Sequence, residues 1–203
     1  MSQITIGISM RETDATNYIE KRDSIAKDWF VFLKKIMPNA KFILIPNIKE
    51  DIIDYIKYWK LNSFILTGGE NFGLSDDRDF SEKLIFEYSQ NNSFPILGIC
   101  RGLQGIYKWL GGKININVSK FHDSNRHEIK LFNELVTVNS FHKNILEESS
   151  KPKVLKIIAR CNKDSTIEAC SGKNILGLMW HPEREEIINS FDKKIIRQLF
   201  KYE

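Results

Sequence analysis

The sequence contains little cysteine. Among its 203 residues only Cys100, Cys161 and Cys170 are cysteines, and no two of them form a C-x-x-C pair. An odd number of cysteines at uneven spacing excludes a disulfide scaffold and fits free thiols in a reducing compartment. A chain of this length can bury a substantial core without disulfides or a structural metal. Each cysteine can therefore be considered on its own.

Proline and glycine are also scarce, with 5 and 11 residues. With 42% hydrophobic and 28% charged residues, this composition excludes a disordered or collagen-like chain. The sequence shows no linker and no internal repeat, so we expect residues 1–203 to form a single domain.

Long apolar runs and a strong charge of either sign are missing as well. No run approaches the roughly 18 apolar residues of a membrane-spanning helix. The opening Met1-Ser2-Gln3 lacks the basic and then apolar pattern of a signal peptide, so we expect a cytoplasmic protein. The formal net charge of +4 is small and evenly spread, which predicts neither a nucleic acid nor a membrane as partner. The sequence does not indicate whether the chain has protein partners.

What the sequence does contain is an alternation of strand-like and helix-like segments. Short β-rich runs at residues 4–8, 42–45, 63–66 and 94–99 are each followed by a stretch with helical spacing of apolar residues. Parallel strands need such crossover helices, so this half predicts an α/β fold with a mostly parallel sheet and helices on both faces. The second half has little helix between its candidate strands, which predicts an antiparallel extension. Those strands fall at residues 113–118, 128–131, 135–138, 154–159, 167–169 and 175–180, before a closing helix at 190–200.

The most informative segment runs from Gly98 to Gly105 with the sequence GICRGLQG. It places Cys100 at a sharp strand-to-helix turn, where glycines permit close backbone approach. The helix dipole lowers the pKa of a cysteine at a helix N-terminus, which favours a nucleophile. The backbone N–H of Arg101 is then placed as an oxyanion donor. The alternative is a buried structural cysteine, which is what most free cysteines are.

A nucleophilic cysteine needs a histidine to move protons and a carboxylate to orient it. His181 follows an apolar run, and Glu183 comes two residues later. In an extended segment these two side chains point the same way, so we expect Glu183 to reach the imidazole. A structural histidine is the alternative reading.

These segments, GICRGLQ and WHPE, resemble the two catalytic signatures of the class I glutamine amidotransferase family. Further segments agree in the same order along the chain, and Asp77-Arg78-Asp79 and the VNSFH run resemble the γ-glutamyl hydrolase branch of that family. The further segments of the chain that resemble the family are LTGG at 66–69, DRD at 77–79, VNSFH at 138–142 and IEA at 167–169. The resemblance covers most of the chain and implies a flavodoxin-like sheet.

The resemblance also implies roles for individual residues. Cys100 would be the nucleophile, His181 the general base and acid, and Glu183 the residue that orients His181. Gly69 and Arg101 would supply the oxyanion N–H groups. The substrate would be held by the side chain of Gln104 and by the backbone around Ser140 and Phe141, while His142 either lines the substrate pocket or closes a turn. No cofactor is implied.

No metal is expected. His122 and His127, with Asp123, show neither helical H-x-x-x-H nor zinc-motif spacing. Cys161 and Cys170 lie in or beside candidate strands, where we expect them to be buried and without a catalytic role.

The function implied is hydrolysis of a γ-glutamyl amide bond through a γ-glutamyl-cysteine thioester, releasing glutamate. In size and style the chain resembles the γ-glutamyl-CDP-amidate hydrolases, which release cytidine diphosphoramidate for capsule phosphoramidate synthesis. It is shorter than the usual γ-glutamyl-γ-aminobutyrate hydrolases of polyamine breakdown, and its opening residues depart from theirs. A glutaminase subunit that feeds ammonia to a synthetase is a further alternative. A nucleotide leaving group would need cations at the site, so we expect Arg78, Arg101 or Arg126 to face it.

Overall fold

The computed structural model describes residues 3–116, 122, 125–132 and 134–202. In this part of the chain the helices are α1 (Asp28–Ile36), α2 (Ile52–Tyr58), α3 (Asp76–Asn91), α4 (Arg101–Trp109) and α5 (Ser190–Phe200). The first strands are β1 (Thr5–Ser9), β2 (Arg11–Asp14), β3 (Lys21–Ser24), β4 (Lys41–Ile45), β5 (Ser63–Leu66) and β6 (Ile96–Ile99). The remaining strands are β7 (Ile114–Asn115), β8 (Asn125–Leu131), β9 (Glu134–Ser140), β10 (Ile145–Leu146), β11 (Lys156–Cys161), β12 (Ile167–Gly172) and β13 (Ile175–Leu178).

One nine-stranded sheet organises the fold, in the order β4-β1-β5-β6-β13-β12-β11-β8-β9. The strands from β4 to β13 pair in parallel, and those from β13 to β9 pair antiparallel. The parallel part has the strand order 2-1-3-4-5 of flavodoxin-like folds. The predicted fold class, a mostly parallel sheet with an antiparallel extension in the C-terminal half, is confirmed.

Helices cover both faces of the parallel part, as predicted. The apolar sides of α1 and α5 pack into one hydrophobic core, where Trp29, Phe32 and Phe200 are buried. The apolar sides of α2, α3 and α4 pack into a second core on the opposite face. Successive strand residues alternate between the cores, since Ile65 belongs to the first and Leu66 to the second. The sheet is thus buried on both faces, which explains its continuous apolar strands.

The sheet places three segments together at the carboxyl ends of its parallel strands. The register pairs Leu66 of β5 with Gly98 of β6, and Ile99 of β6 with Leu178 of β13. Cys100 and the segments after Leu66 and Leu178 therefore leave the sheet at one edge, and ligands of open α/β sheets bind at such edges.

The predicted layout differs from the structure in several places. Strands β2 and β3 form an antiparallel hairpin that the sequence analysis did not predict, because every residue of both strands is polar and neither strand has an apolar face. The strand predicted at 113–118 is short where it is described, and residues 117 and 118 lie outside the described part. No helix among the described residues is long and apolar enough to cross a membrane.

Candidate active site

Cys100 lies at the turn between β6 and α4 with a φ of 50° and a ψ of −101°. A non-glycine residue in this region is strained, and such strain is typical of a nucleophile elbow. The flanking glycines make the turn possible: a Cβ on Gly98 would lie 2.6 Å from the carbonyl carbon of Gly102, and one on Gly102 would collide with the carbonyl oxygen of Leu66. The predicted strand-to-helix turn is therefore present, and its spacing depends on the glycines.

The surroundings of Cys100 favour a thiolate. Burial raises the pKa of the thiol, but the interactions with His181 and His142 and with the backbone N–H of Arg101 lower it by more, so that it lies below its ordinary value. By contrast, burial raises the pKa of Cys170 to about 12 and also raises that of Cys161. Only Cys100 among the three has the electrostatics of a nucleophile.

His181 follows β13 and contacts Glu183 directly. Its Nδ1 lies 2.7 Å from Oε1 of Glu183, and both residues are buried. Burial lowers the pKa of His181, but the charge of Glu183 and the interaction with Cys100 raise it by more, to about 9. Glu183 reaches the ring from the 3₁₀ turn Pro182–Arg184 and not from an extended segment, because Pro182 starts this turn. The predicted contact is present with a different backbone conformation.

The glycine turn after β5 lies against the same histidine. A Cβ on Gly68 would lie 2.5 Å from Cε1 of His181, so any other residue would displace the ring. Gly69 has a φ of +147° and lies on the wall of a cavity of about 150 Å³ together with Cys100 and Arg101. Both predicted oxyanion donors thus border the cavity that contains the thiol.

The family model of Peptidase C26 matches residues 4–183. The chain belongs to the Peptidase C26 family. Membership in this family supports a hydrolase. Among curated proteins, this family member is 34% identical to a γ-glutamyl-CDP-amidate hydrolase of Campylobacter jejuni, over 96% of each chain. It is 26% identical to a putative glutamine amidotransferase-like protein of Lactococcus lactis, over 85% of this chain and 86% of that protein.

Solved structures of low identity share the fold of this Peptidase C26 member. A putative GMP synthase subunit protein of Thermoplasma acidophilum is 17% identical and matches with a TM-score of 0.71 over 100% of this chain and 94% of its own. A glutamine amidotransferase of Thermotoga maritima is 13% identical, with a TM-score of 0.66 over 99% of this chain and 84% of its own.

The predicted substrate-binding residues of this Peptidase C26 chain divide into two groups. Gln104, Phe141 and His142 line the cavity beside Cys100. Phe141 also packs edge-on against His181, with ring centroids 5.7 Å apart. The Ser140 hydroxyl points elsewhere and donates to the carbonyl oxygen of His122 at 2.7 Å. Within the described residues, the Ser140 side chain therefore supports the chain backbone and does not line this cavity.

Each of the three arginines that we expect near the leaving group is paired with a carboxylate, and the expectation that one of them faces the leaving group stays a prediction. The buried Arg78 guanidinium binds Glu82, Glu70 and the carbonyl oxygens of Thr67 and Gly68. The guanidinium of Arg101 is buried in ion pairs with Asp79 and Glu82. Arg126 pairs with Glu185 at 2.9 Å. Of their carboxylate partners, Glu82 is fully buried and the others are partly exposed. A single sequence does not show which of these ion pairs form.

A second cavity of about 430 Å³ is lined partly by Asn71, Gln104 and Asn144, which also line the smaller one. Lys108 and Lys113 contribute cationic side chains to it, and neither forms an ion pair with a described residue. The sequence analysis missed both lysines. Lys113 lies just before β7, so its position depends on the pairing of β7 with β10, which residues far apart in the chain form. The helical spacing of four residues between Gln104 and Lys108 was the available signal.

Proposed function

We propose that this protein hydrolyses a γ-glutamyl amide bond through a γ-glutamyl thioester on Cys100. The main support for this proposal is that Cys100, which has a strained backbone, interacts with His181. Nδ1 of His181 lies 2.7 Å from Oε1 of Glu183. The lowered pKa of the Cys100 thiol and the raised pKa of His181, about 9, both favour a thiolate–imidazolium pair.

The first half-reaction forms the thioester. The Cys100 thiolate attacks the γ-carbonyl carbon, and the backbone N–H groups of Arg101 and Gly69 stabilise the oxyanion. Collapse of the tetrahedral intermediate breaks the carbon–nitrogen bond, and the amine leaves with a proton from the His181 imidazolium. Gln104 and the segment around Phe141 hold the glutamyl group in the smaller cavity.

The second half-reaction uses water. The neutral His181 removes a proton from a water molecule, whose oxygen attacks the thioester carbonyl carbon. The carbon–sulfur bond then breaks, glutamate is released, and Cys100 returns as a thiolate beside the imidazolium of His181. Glu183 keeps the imidazole in the orientation that both proton transfers require.

For the leaving group we propose a nucleoside diphosphate in the 430 Å³ cavity, as in γ-glutamyl-CDP-amidate. The full-length similarity to the Campylobacter jejuni hydrolase supports this assignment. Lys108 and Lys113 would bind the phosphates, while the acidic Glu147 on the same wall would repel them in part. The product would be cytidine diphosphoramidate, which is used in capsule phosphoramidate synthesis. In this proposal the chain forms a single domain and acts in the cytoplasm.

The test compares γ-glutamyl-CDP-amidate, γ-glutamyl-γ-aminobutyrate and glutamine as substrates of the purified protein. We expect the highest kcat/KM for the nucleotide. Lys108→Ala or Lys113→Ala should lower that value by roughly 10- to 100-fold, the effect of one charge-assisted hydrogen bond. Glutamine hydrolysis should change little. The matched control is Lys34→Ala, since Lys34 is exposed on α1, on the opposite face of the sheet.

Preference for γ-glutamyl-γ-aminobutyrate would overturn the nucleotide assignment and leave the thioester chemistry standing. Loss of nucleotide selectivity in Lys34→Ala to the same degree would show that the effect is general and not local to the cavity.

A glutaminase subunit is the second candidate. It is favoured by the 32% identity, over 64% of this chain, to a Brachyspira hyodysenteriae GMP synthase. This candidate predicts that the chain alone hydrolyses no γ-glutamyl amide at an appreciable rate, because such subunits would act with their synthetase. Turnover of a γ-glutamyl nucleotide by the chain alone would exclude it.

A further inference from the structure

Three buried imidazoles surround one buried carboxylate beside the proposed active site. His127 lies on β8, His142 follows β9, Glu168 lies on β12, and His122 precedes β8. The side chain of Glu168 is completely buried, and those of the three histidines are at most 2% exposed. His142 also lines the cavity that contains Cys100, but the proposed hydrolysis uses no other member of this cluster.

The distances within the cluster are too long for hydrogen bonds. Glu168 Oε1 lies 3.5 Å from His122 Nδ1 and 3.6 Å from His142 Nε2, and Oε2 lies 3.6 Å from His127 Nε2. Neither carboxylate oxygen has a hydrogen-bond partner among the described residues. A buried carboxylate without such partners is strongly destabilising unless a charge compensates it, so a neutral protein environment does not explain this geometry.

The hydrogen bonds of His142 show which of its nitrogens faces Glu168. Nδ1 lies 3.0 Å from the carbonyl oxygen of Asn144, and a carbonyl oxygen only accepts, so Nδ1 carries the proton. In the neutral ring, Nε2 therefore directs its lone pair at the carboxylate. Two acceptors facing each other at 3.6 Å repel unless a proton or a metal ion lies between them.

His122 has the same arrangement with its nitrogens exchanged. Nε2 lies 2.9 Å from Asp164 Oδ2 and 3.2 Å from the hydroxyl oxygen of Thr166. The Thr166 hydroxyl donates its own proton to Asp164, so both neighbours accept from Nε2–H. The Nδ1 lone pair then faces Glu168. Protonating both His122 and His142 instead would stack two cationic rings with centroids only 4.7 Å apart.

We propose that His122, His127, His142 and Glu168 bind a divalent transition-metal ion of the zinc class. Imidazole nitrogens and a carboxylate oxygen are zinc ligands, and tetrahedral ligands at zinc distances lie roughly 3.3–3.4 Å apart. The observed 3.5 and 3.6 Å separations are close to that value. The His122–Asp164 and His142–Asn144 contacts match the partners that metal-ligating histidines commonly have on their second nitrogen.

The spacing along the chain did not predict this cluster, because His142 and Glu168 come from parts of the antiparallel extension that are distant in sequence from His122 and His127. Asp123, which the sequence analysis grouped with His122 and His127, lies outside the described residues. The thiol of Cys161 lies within 4.8 Å of donor atoms of His122 and His127, beside the site.

A bound ion would brace the segment that supports His181. Residues 139–142 run from Asn139, which binds the main chain of His181, through Phe141, which packs on its ring, to the proposed ligand His142. We therefore assign the ion a structural role: by fixing the position of residues 139–142, it would stabilise the position of His181 in the proposed active site.

The test is metal analysis of the full chain, purified without a metal-affinity tag. We expect close to one equivalent of zinc per chain. After removal of the metal by a chelator, added Zn²⁺ should raise the Tm in proportion to its binding, and added Co²⁺ should give the visible absorption of tetrahedral nitrogen and oxygen ligation.

Glu168→Gln and His142→Gln should lose the metal, while His181→Gln, which removes a buried histidine outside the cluster, should retain it. If a ligand variant fails to fold, the Co²⁺ spectrum of the unmodified protein tests the proposal instead, since it shows whether nitrogen and oxygen ligands bind the ion in tetrahedral geometry. A metal-free protein whose Tm does not respond to Zn²⁺ would overturn the proposal and identify the cluster as an ion pair. A thiolate-to-cobalt charge-transfer band that Cys161→Ser removes would overturn the ligand set.

Discussion

Asn139 binds the main chain of His181 through both ends of its side-chain amide. Its Oδ1 accepts from the His181 N–H at 2.8 Å, and its Nδ2 donates to the His181 carbonyl oxygen at 2.7 Å. Both residues are buried, so water does not compete for these bonds. A residue 42 positions away in the sequence thereby holds the backbone of the proposed general base.

Asn139→Ala should therefore impair the chemistry more than substrate binding. We expect kcat to fall by roughly 10- to 100-fold, with KM nearly unchanged, because the loss misplaces His181 and not the glutamyl group. The unfolding free energy should fall by about 1–3 kcal/mol as well. Steady-state kinetics and urea unfolding measure both effects. The control is Asn162→Ala, an exposed asparagine on the same antiparallel extension; an equal loss of activity there would contradict the positioning role.

Cys100→Ser should abolish turnover and leave the fold intact. The expected loss in kcat is on the order of 10⁴ or more, because no other thiol lies at the turn after β6. Cys170→Ala is the control, since burial raises the pKa of that thiol to about 12 and its loss should lower stability rather than activity. Mass spectrometry after iodoacetamide treatment should find alkylation at Cys100 alone. Wild-type turnover in a folded Cys100→Ser protein would exclude the thioester.

His181→Asn should cost more than Glu183→Gln. The imidazole transfers the protons, whereas the carboxylate orients it, and the serine-protease precedent indicates losses of roughly 10⁶ and 10⁴ in kcat. Single-turnover measurements with the γ-glutamyl substrate separate acylation from release. Wild-type activity in His181→Asn would assign the base to another residue.

The pH profile of kcat/KM should be bell-shaped. The acid limb reports formation of the Cys100 thiolate, whose pKa is lowered, and the alkaline limb reports loss of the His181 proton near its pKa of about 9. Glu183→Gln removes the negative charge that raises the pKa of His181, so the alkaline limb should move to lower pH. An alkaline limb that does not move would show that another group controls it.

Asp192 should make the protein less stable as the pH rises from about 4 to 7. Burial raises its pKa to about 7, where Trp180 donates to its Oδ1 at 3.0 Å. The folded state therefore holds the proton more tightly than the unfolded state, and this stabilisation is lost as the pH rises through the folded pKa. Asp192→Asn should increase the unfolding free energy at pH 8 by on the order of a few kcal/mol and change it little at pH 4.

The measurement is the difference in urea stability between Asp192→Asn and the wild type at each pH. Asp54→Asn is the control, because the Asp54 side chain is 91% exposed. A difference that is the same at pH 4 and pH 8 would show that Asp192 does not titrate as expected.

The proposed catalytic residues Cys100, His181 and Glu183 could be predicted from the sequence because they occupy recognisable local positions. Cys100 follows an apolar strand and opens a helix between close glycines, while Glu183 comes two residues after His181. The sheet could be read as well, because apolar periodicity encodes which faces are buried. The hairpin of β2 and β3 could not, since its polar strands carry no such signal.

Local patterns in the chain were enough to predict the α/β class, the closing helix Ser190–Phe200, the nucleophile turn and the expected partners of Cys100. Three features required the folded structure: which charges are paired, which cations border the larger cavity, and the contact of Asn139 with His181. The folded structure alone brought His122, His127, His142 and Glu168 around one point. The physical reason is that strand pairing in the antiparallel extension joins residues far apart in the chain, whereas local spacing reports only what one helix turn or one strand places together.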